Sequence, residues 1–146
     1  MKRILVCLDG SQRAPHVLDT AVHLAHHTGA KIQLFRAVTV QPELSPPLVS
    51  MSPNEVPSLL LEEAKKELAA LGRDVPAGAL EGLFTQIGSP WDAICAIARA
   101  HDVDLIVIGS HGYGGLDRLL GTTAAKVVNH ADRSVLVVRP KPESRQ

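Results

Sequence analysis

Short apolar runs alternate along the chain with longer segments in which apolar residues recur every three or four positions. The first run, residues 3–8 (RILVCL), is apolar at nearly every position, which is typical of a strand covered on both faces of a sheet. The next segment, residues 14–27, repeats its apolar residues at helical spacing and so predicts an amphipathic helix.

The same alternation continues to residue 138. Further strands are predicted at residues 32–38, 80–87, 105–108 and 134–138, and further helices at a segment that ends near residue 71, at 90–101 and at 123–130. Strands that alternate with helices pair in parallel through right-handed crossovers. The sequence therefore predicts an α/β fold, a single doubly wound five-stranded parallel sheet with helices on both faces.

Several helix ends carry local signals of their own. Ser11 is a candidate cap for the first helix, Pro15 fits its first turn, and Gly29 lies where a left-handed stop belongs. Ser89 and Pro90 together form a good start for the third helix. These signals agree with the boundaries that the apolar periodicity gives.

One stretch breaks the pattern. Residues 41–53 contain four prolines, each of which removes a backbone donor and restricts the residue before it. We interpret this stretch as a variable loop within one domain that spans residues 1–146, and residues 140–146 as a flexible tail.

Composition narrows the classes of function. Fifteen basic residues balance fifteen acidic ones, so the net charge gives no reason to expect binding to nucleic acid or to an anionic membrane. No apolar stretch approaches the roughly twenty residues that span a bilayer, and the first apolar run is too short for a signal peptide. Cys7 and Cys95 lie in separate apolar stretches, as buried reduced thiols do. We expect a soluble, cytoplasmic protein.

The segment from Gly109 to Thr123 carries the clearest chemical signal. It holds five glycines within thirteen positions and ends in two threonines that open a helix. Ligands of such sheets bind beyond the carboxyl ends of the strands, and a helix start with unpaired amides is a ready anion site. A few hydrogen bonds from backbone amides do not offset the free-energy cost of association. A nucleotide, whose base adds buried apolar surface, is therefore a better candidate than free phosphate.

The common nucleotide signatures are absent from this segment. No lysine follows any of its glycines, as a P-loop requires, and Asp117 occupies the position of the last glycine of a dinucleotide fingerprint. On this signal alone, glycines that serve only a tight loop are as good an explanation as a phosphate site.

Three segments nevertheless resemble the universal stress protein family. They are ILVCLDGS at the start, IGSPWDAICAIARAHDVDLIVIGSHGYGGLDRLLGTTAAKVV in the second half and SVLVVRP near the end. The resemblance implies a Rossmann-like fold of the adenine nucleotide alpha hydrolase-like type with strand order 3-2-1-4-5. It also implies binding of ATP, AMP or ADP, with Mg2+ held through the phosphates. The glycine motif is one residue shorter here, with eight residues between Gly112 and Gly121.

The resemblance also assigns positions to the nucleotide. Asp9 would lie near the ribose or a phosphate-bound metal, Ala37 or Val38 against the adenine, and Ile108 and Gly109 along base and ribose. The phosphates would be cradled by Gly112, Gly121, Thr122 and Thr123. Many members of the family form homodimers, which implies pairing of the last strand, Ser134–Val138, with its twin.

Each candidate residue also has a plainer explanation. Asp9 can contact the ligand or simply bond to the loop backbone in an Asx turn. His111 can act as an acid, base or phosphate partner, although a partly exposed loop residue is the favoured explanation. His16, His23 and His27 share a helical face but lack a clear third metal ligand, so no metal site is predicted. No nucleophile, base and orienting acid can be assembled, so no catalytic residue is predicted.

We therefore expect an ATP-binding module of stress response or signalling with little or no hydrolysis. A slow ATP hydrolase or phosphate donor and a nucleotide-free dimeric scaffold are the alternatives.

Overall fold

A computed structural model describes residues 1–40, 55–110 and 120–141. Within these ranges the strands are β1 (Arg3–Cys7), β2 (Lys31–Val38), β3 (Leu80–Ile87), β4 (Leu105–Gly109) and β5 (Ser134–Val138). The helices are α1 (Ala14–Thr28), α2 (Glu55–Gly72), α3 (Pro90–Ala100) and α4 (Thr122–His130). The boundaries predicted from the apolar periodicity lie within one residue of these. The prediction of a variable loop at 41–53 and most of the predicted tail fall outside the described residues.

The strands form one parallel sheet in the order β3-β2-β1-β4-β5, which confirms the predicted architecture. Strand β1 lies at the centre, where Cys7 is in register with Phe35 of β2 and with Ile108 of β4. The chain builds outward from β1 through β2 and β3 in one direction, and from β4 to β5 in the other. The carboxyl ends of β1 and β4 are therefore adjacent at the point where the direction of winding reverses.

Helices cover both faces of the sheet, which explains why β1 is apolar at nearly every position. Ile4 and Val6 pack with α1 and with Leu68 of α2 on one face. Leu5 and Cys7 pack with α3 and α4 on the other face. Because successive side chains of a strand point to opposite faces, both sets are removed from water. None of the helices in the described ranges combines the length and the apolar character needed to cross a membrane.

The helix ends confirm two local signals and correct a third. Gly29 follows α1 with a φ of 74°, the left-handed conformation that glycine adopts without strain, and Pro15 lies in the first turn. The prediction that Ser11 caps α1 is wrong, because the residue at the cap position is Arg13. Ser11 lies two residues earlier in a turn, where its hydroxyl accepts a hydrogen bond of 3.2 Å from the Arg13 amide. The bond from its own amide to Asp9, described below, keeps Ser11 in that turn.

Candidate functional site

A cavity of about 260 Å³ opens where the winding of the sheet reverses. It lies beyond the carboxyl ends of β1 and β4 and between the amino-terminal ends of α1 and α4. Its described lining residues are Cys7, Leu8, Asp9, Ala14, Val17, Ile108, Gly109, Thr122, Thr123 and Ala124. This is the position at which doubly wound sheets bind their ligands.

Asp9 reaches the cavity from the loop that follows β1. Its side chain is exposed, and its Oδ1 accepts a hydrogen bond of 3.0 Å from the Ser11 amide. That bond is the Asx turn considered for this residue in the sequence. Asp9 therefore forms the turn and lines the cavity at the same time, so the two explanations are compatible.

The first turn of α4 brings backbone amides to the other side of the cavity. Gly121 occupies the cap position, and its amide donates to the Ser110 carbonyl at 3.0 Å. The first bond inside the helix runs from the Ala125 amide to the Gly121 carbonyl at 2.9 Å. The amides between them, those of residues 122–124, have no partner inside the helix because of their place in its first turn. A glycine cap has no side chain to satisfy them, and the helix dipole adds a partial positive charge.

The remaining lining is largely apolar. Ile108 is buried beside Gly109 at the end of β4, and Val17 faces the cavity from α1. The Cys7 thiol is also buried, and burial raises its pKa far above the usual range of a thiol. Cys7 therefore stays neutral at physiological pH and forms part of an uncharged floor.

Among the described residues, the structure gathers five of the predicted site residues around the cavity. Asp9, Ile108, Gly109, Thr122 and Thr123 are brought together there.

The other predicted site residues either are not among the described lining residues or fall outside the residues that the structure describes. Ala37 and Val38 stand at the carboxyl end of β2, next to β1 in the sheet, but are not among the described lining residues. Gly121 is the buried cap of α4, with its amide already bonded. His111 and Gly112 lie outside the described residues.

Sequence reasoning missed half of the described lining. The missed residues are Cys7, Leu8, Ala14, Val17 and Ala124. Cys7 and Leu8 directly precede Asp9 in the sequence, Ala14 and Val17 lie at the start of α1, and Ala124 follows Thr123. For all of these except Val17, the predicted strand and helix boundaries carried this signal, because a residue that ends a central parallel strand and a residue that begins the next helix share one edge of the sheet.

Two of the histidines of α1 hydrogen-bond to the backbone through their rings. His16 Nε2 lies 3.0 Å from the Arg139 carbonyl oxygen, and His27 Nδ1 lies 2.9 Å from the His23 carbonyl oxygen. In the part of the chain that the structure describes, no three His, Cys, Asp or Glu side chains are grouped so as to hold a metal ion.

Residues 1–139 match the family model described as the universal stress protein family. The chain belongs to the universal stress protein family. This confirms the resemblance that the three sequence segments carry.

Individual relatives agree with that assignment. The chain is 30% identical over 138 residues to universal stress protein A homolog 1 of Coxiella burnetii, covering 94% of this chain and 95% of that protein. The structure is similar to that of MJ0577, a protein of Methanocaldococcus jannaschii, with a TM-score of 0.79, 27% identity and coverage of 97% and 98%. It is also similar to a universal stress protein in complex with cAMP, with a TM-score of 0.68, 25% identity and coverage of 94% and 97%.

Proposed function

We propose that this universal stress protein is a stress-response or signalling module that binds an adenine nucleotide, ATP first among them, with little or no hydrolysis. The observation that carries the proposal is the cavity between Asp9 and the first turn of α4. A carboxylate on one side suits a ribose or a phosphate-bound cation, and amides on the other side suit phosphate oxygens.

The energetics favour a ligand with a base over a bare phosphate. Each amide bond to a charged phosphate contributes about 1.5–3 kcal/mol, whereas association costs about 4–15 kcal/mol. The three amides of residues 122–124 therefore need a second source of binding free energy. The apolar lining formed by Val17 and Ile108 supplies it by removing a flat base from water.

A solved relative supports the choice of adenine. The universal stress protein that this structure resembles with a TM-score of 0.68 is a complex with cAMP. We extend adenine nucleotide binding from that protein to this chain because the cavity here offers donors for phosphate and an apolar lining for a base. The volume of about 260 Å³ lies near the lower end of ordinary ligand sites, about 300–1,000 Å³, so AMP and ADP belong in the same test as ATP.

The residues present also fit Mg2+ carried by the phosphates. Mg2+ is commonly held by substrate phosphates with one or two carboxylates, and Asp9 places one carboxylate at the cavity. The bound ion would neutralise phosphate charge, and Asp9 would orient the nucleotide toward α4.

The lining offers little for hydrolysis. None of the described lining residues is His, Lys or Arg, and the Cys7 thiol is kept neutral by burial. A water molecule at the phosphates therefore has Asp9 alone as a candidate base among these residues. Phosphate release well above background that is lost in Asp9→Ala would instead favour the alternative of a slow hydrolase or phosphate donor.

Equilibrium titration tests the proposal directly. Calorimetric titration of the full chain with ATP, ADP, AMP and cAMP, each with and without Mg2+, should give one saturable site per chain for at least one of them. The absence of saturable binding below the millimolar range for every nucleotide would contradict the proposal and favour a nucleotide-free scaffold.

The two cysteines offer a test of where the nucleotide binds. Cys7 lines the cavity, whereas Cys95 is buried in α3 and is not among the described lining residues. In Cys95→Ala, saturating nucleotide should slow alkylation of Cys7 by iodoacetamide at least about tenfold through protection by the ligand. The matched variant Cys7→Ala reports the effect on Cys95, which should be smaller. Equal slowing of the two thiols would contradict this location.

We also propose that the chain forms a homodimer through β5. In the described residues β5 pairs with β4 alone, so its outer edge carries backbone groups without a strand partner. Leu136 on this strand is 36% exposed, and an apolar strand edge favours pairing with a second strand. Sedimentation velocity should show a dimer at micromolar concentration, and a monomer at every concentration would contradict this pairing.

The cytoplasmic location expected from the sequence stays a prediction.

A further inference from the structure

Arg36 of β2 holds its guanidinium group against Gly10, the residue that follows Asp9. A Cβ atom placed on Gly10 would lie 2.8 Å from Arg36 Nη2 and 3.3 Å from Cζ. The guanidinium therefore fills the space that a side chain at residue 10 would occupy. Only a glycine allows this contact without displacing the arginine.

A second contact fixes the position of Arg36. Its Nη1 forms an ion pair with Oε2 of Glu67 in α2, and 24% of the Arg36 side chain is exposed. The guanidinium thus connects α2 to the loop between β1 and α1. A planar group held at both sides restricts that loop more than a flexible ammonium does.

We propose that Arg36 is a positioning residue for the nucleotide site, acting through Gly10 on Asp9. Asp9 lines the cavity, whereas Gly10 and Arg36 are not among its described lining residues. By packing on the peptide after Asp9, Arg36 limits the conformations of the loop and keeps the Asp9 carboxylate at the cavity. This inference rests on the proposed nucleotide binding, since it assigns a role within that site.

The first test measures nucleotide affinity in variants that remove or displace the guanidinium. Arg36→Ala should weaken binding by about tenfold, because the loop must then be ordered when the ligand binds. Arg36→Lys keeps the positive charge and the reach to Glu67 but not the planar contact, so most of the loss should remain. Arg99→Ala is the matched control. It removes an exposed arginine in the last turn of α3 that pairs with Asp132, and it should bind like the wild type.

Gly10→Ala separates positioning from general destabilisation. The new methyl group displaces the end of a flexible side chain, so the variant should fold while losing the contact. Gly10→Ala and Arg36→Ala should each weaken binding, and the double variant should bind no more weakly than Arg36→Ala alone. Losses that add fully, or that follow the fall in thermal midpoint, would overturn the inference. Full affinity in Arg36→Ala, or full rescue by Arg36→Lys, would overturn it as well.

A ligand-free measurement distinguishes this inference from the proposed function. The Ser11 amide donates to Asp9, so its hydrogen exchange reports whether the loop is held in place. Exchange at Ser11 should be faster in Arg36→Ala than in the wild type, and unchanged exchange would overturn the positioning role. If the wild type binds no nucleotide, but exchange at Ser11 is still faster in Arg36→Ala than in the wild type, the proposed function is refuted. The restriction of the loop by Arg36 is then still supported.

Discussion

Replacing Thr122 by aspartate should weaken ATP binding by about 100-fold without destabilising the fold. Thr122 is the first residue of α4, it is exposed, and it lines the cavity. A carboxylate at a helix amino terminus typically stabilises the helix by about 0.3–1 kcal/mol. The same carboxylate would repel a phosphate that binds to the amides of this turn, so stability and affinity should change in opposite directions.

The magnitude follows from the distance between the charges. Two like charges about 5 Å apart at an effective dielectric constant of about 20 repel by about 3 kcal/mol. That energy corresponds to about a 100-fold change in a dissociation constant. The loss should increase with the charge of the ligand, from none for adenosine through AMP to ATP.

Calorimetric titrations of Thr122→Asp with adenosine, AMP and ATP check this expectation, together with thermal unfolding. Thr122→Asn is the matched control, because it has nearly the same shape without the charge and should lose much less affinity. Unchanged ATP affinity in Thr122→Asp would show that phosphates do not bind at the start of α4. An equal loss of affinity for adenosine would contradict charge repulsion as the cause, because adenosine carries no phosphate for the aspartate to repel.

The fold could be predicted well from the sequence because its signals are local. The central strand β1 shows as an apolar run that begins at Ile4, and Pro15 and Gly29 mark the two ends of α1. The wrong prediction that Ser11 caps α1 also has a local cause. Serine is favoured both at a helix cap and in a turn, and the bond from its amide to Asp9 selects the turn.

The candidate site could be predicted only where strand order determines it. Asp9 lies just after β1 and Gly109 ends β4, so the order of the sheet alone brings them together. The contribution of Val17 depends on how α1 packs across the sheet, which no local pattern contains. The contact between Arg36 and Gly10 joins residues of different elements through a side-chain conformation, and only the structure reveals it.

Asp9→Asn should weaken nucleotide binding by roughly 10- to 150-fold, which is the effect of losing a charged hydrogen bond worth about 1.5–3 kcal/mol. The asparagine side-chain oxygen can still accept the bond that the Ser11 amide now donates to Asp9 at 3.0 Å. The turn is therefore kept while the negative charge beside the cavity is removed. Calorimetric titration with ATP and Mg2+ measures the change.

Asp9→Ala is the matched variant that removes the turn as well as the charge. If Asp9 contacts the nucleotide or its Mg2+, both variants should bind weakly. If Asp9 only forms the turn, Asp9→Asn should bind like the wild type, and Asp9→Ala alone should lose affinity. Wild-type affinity in Asp9→Asn would thus contradict the ligand role of Asp9, and the amides at the start of α4 would then remain as the polar contacts of the site.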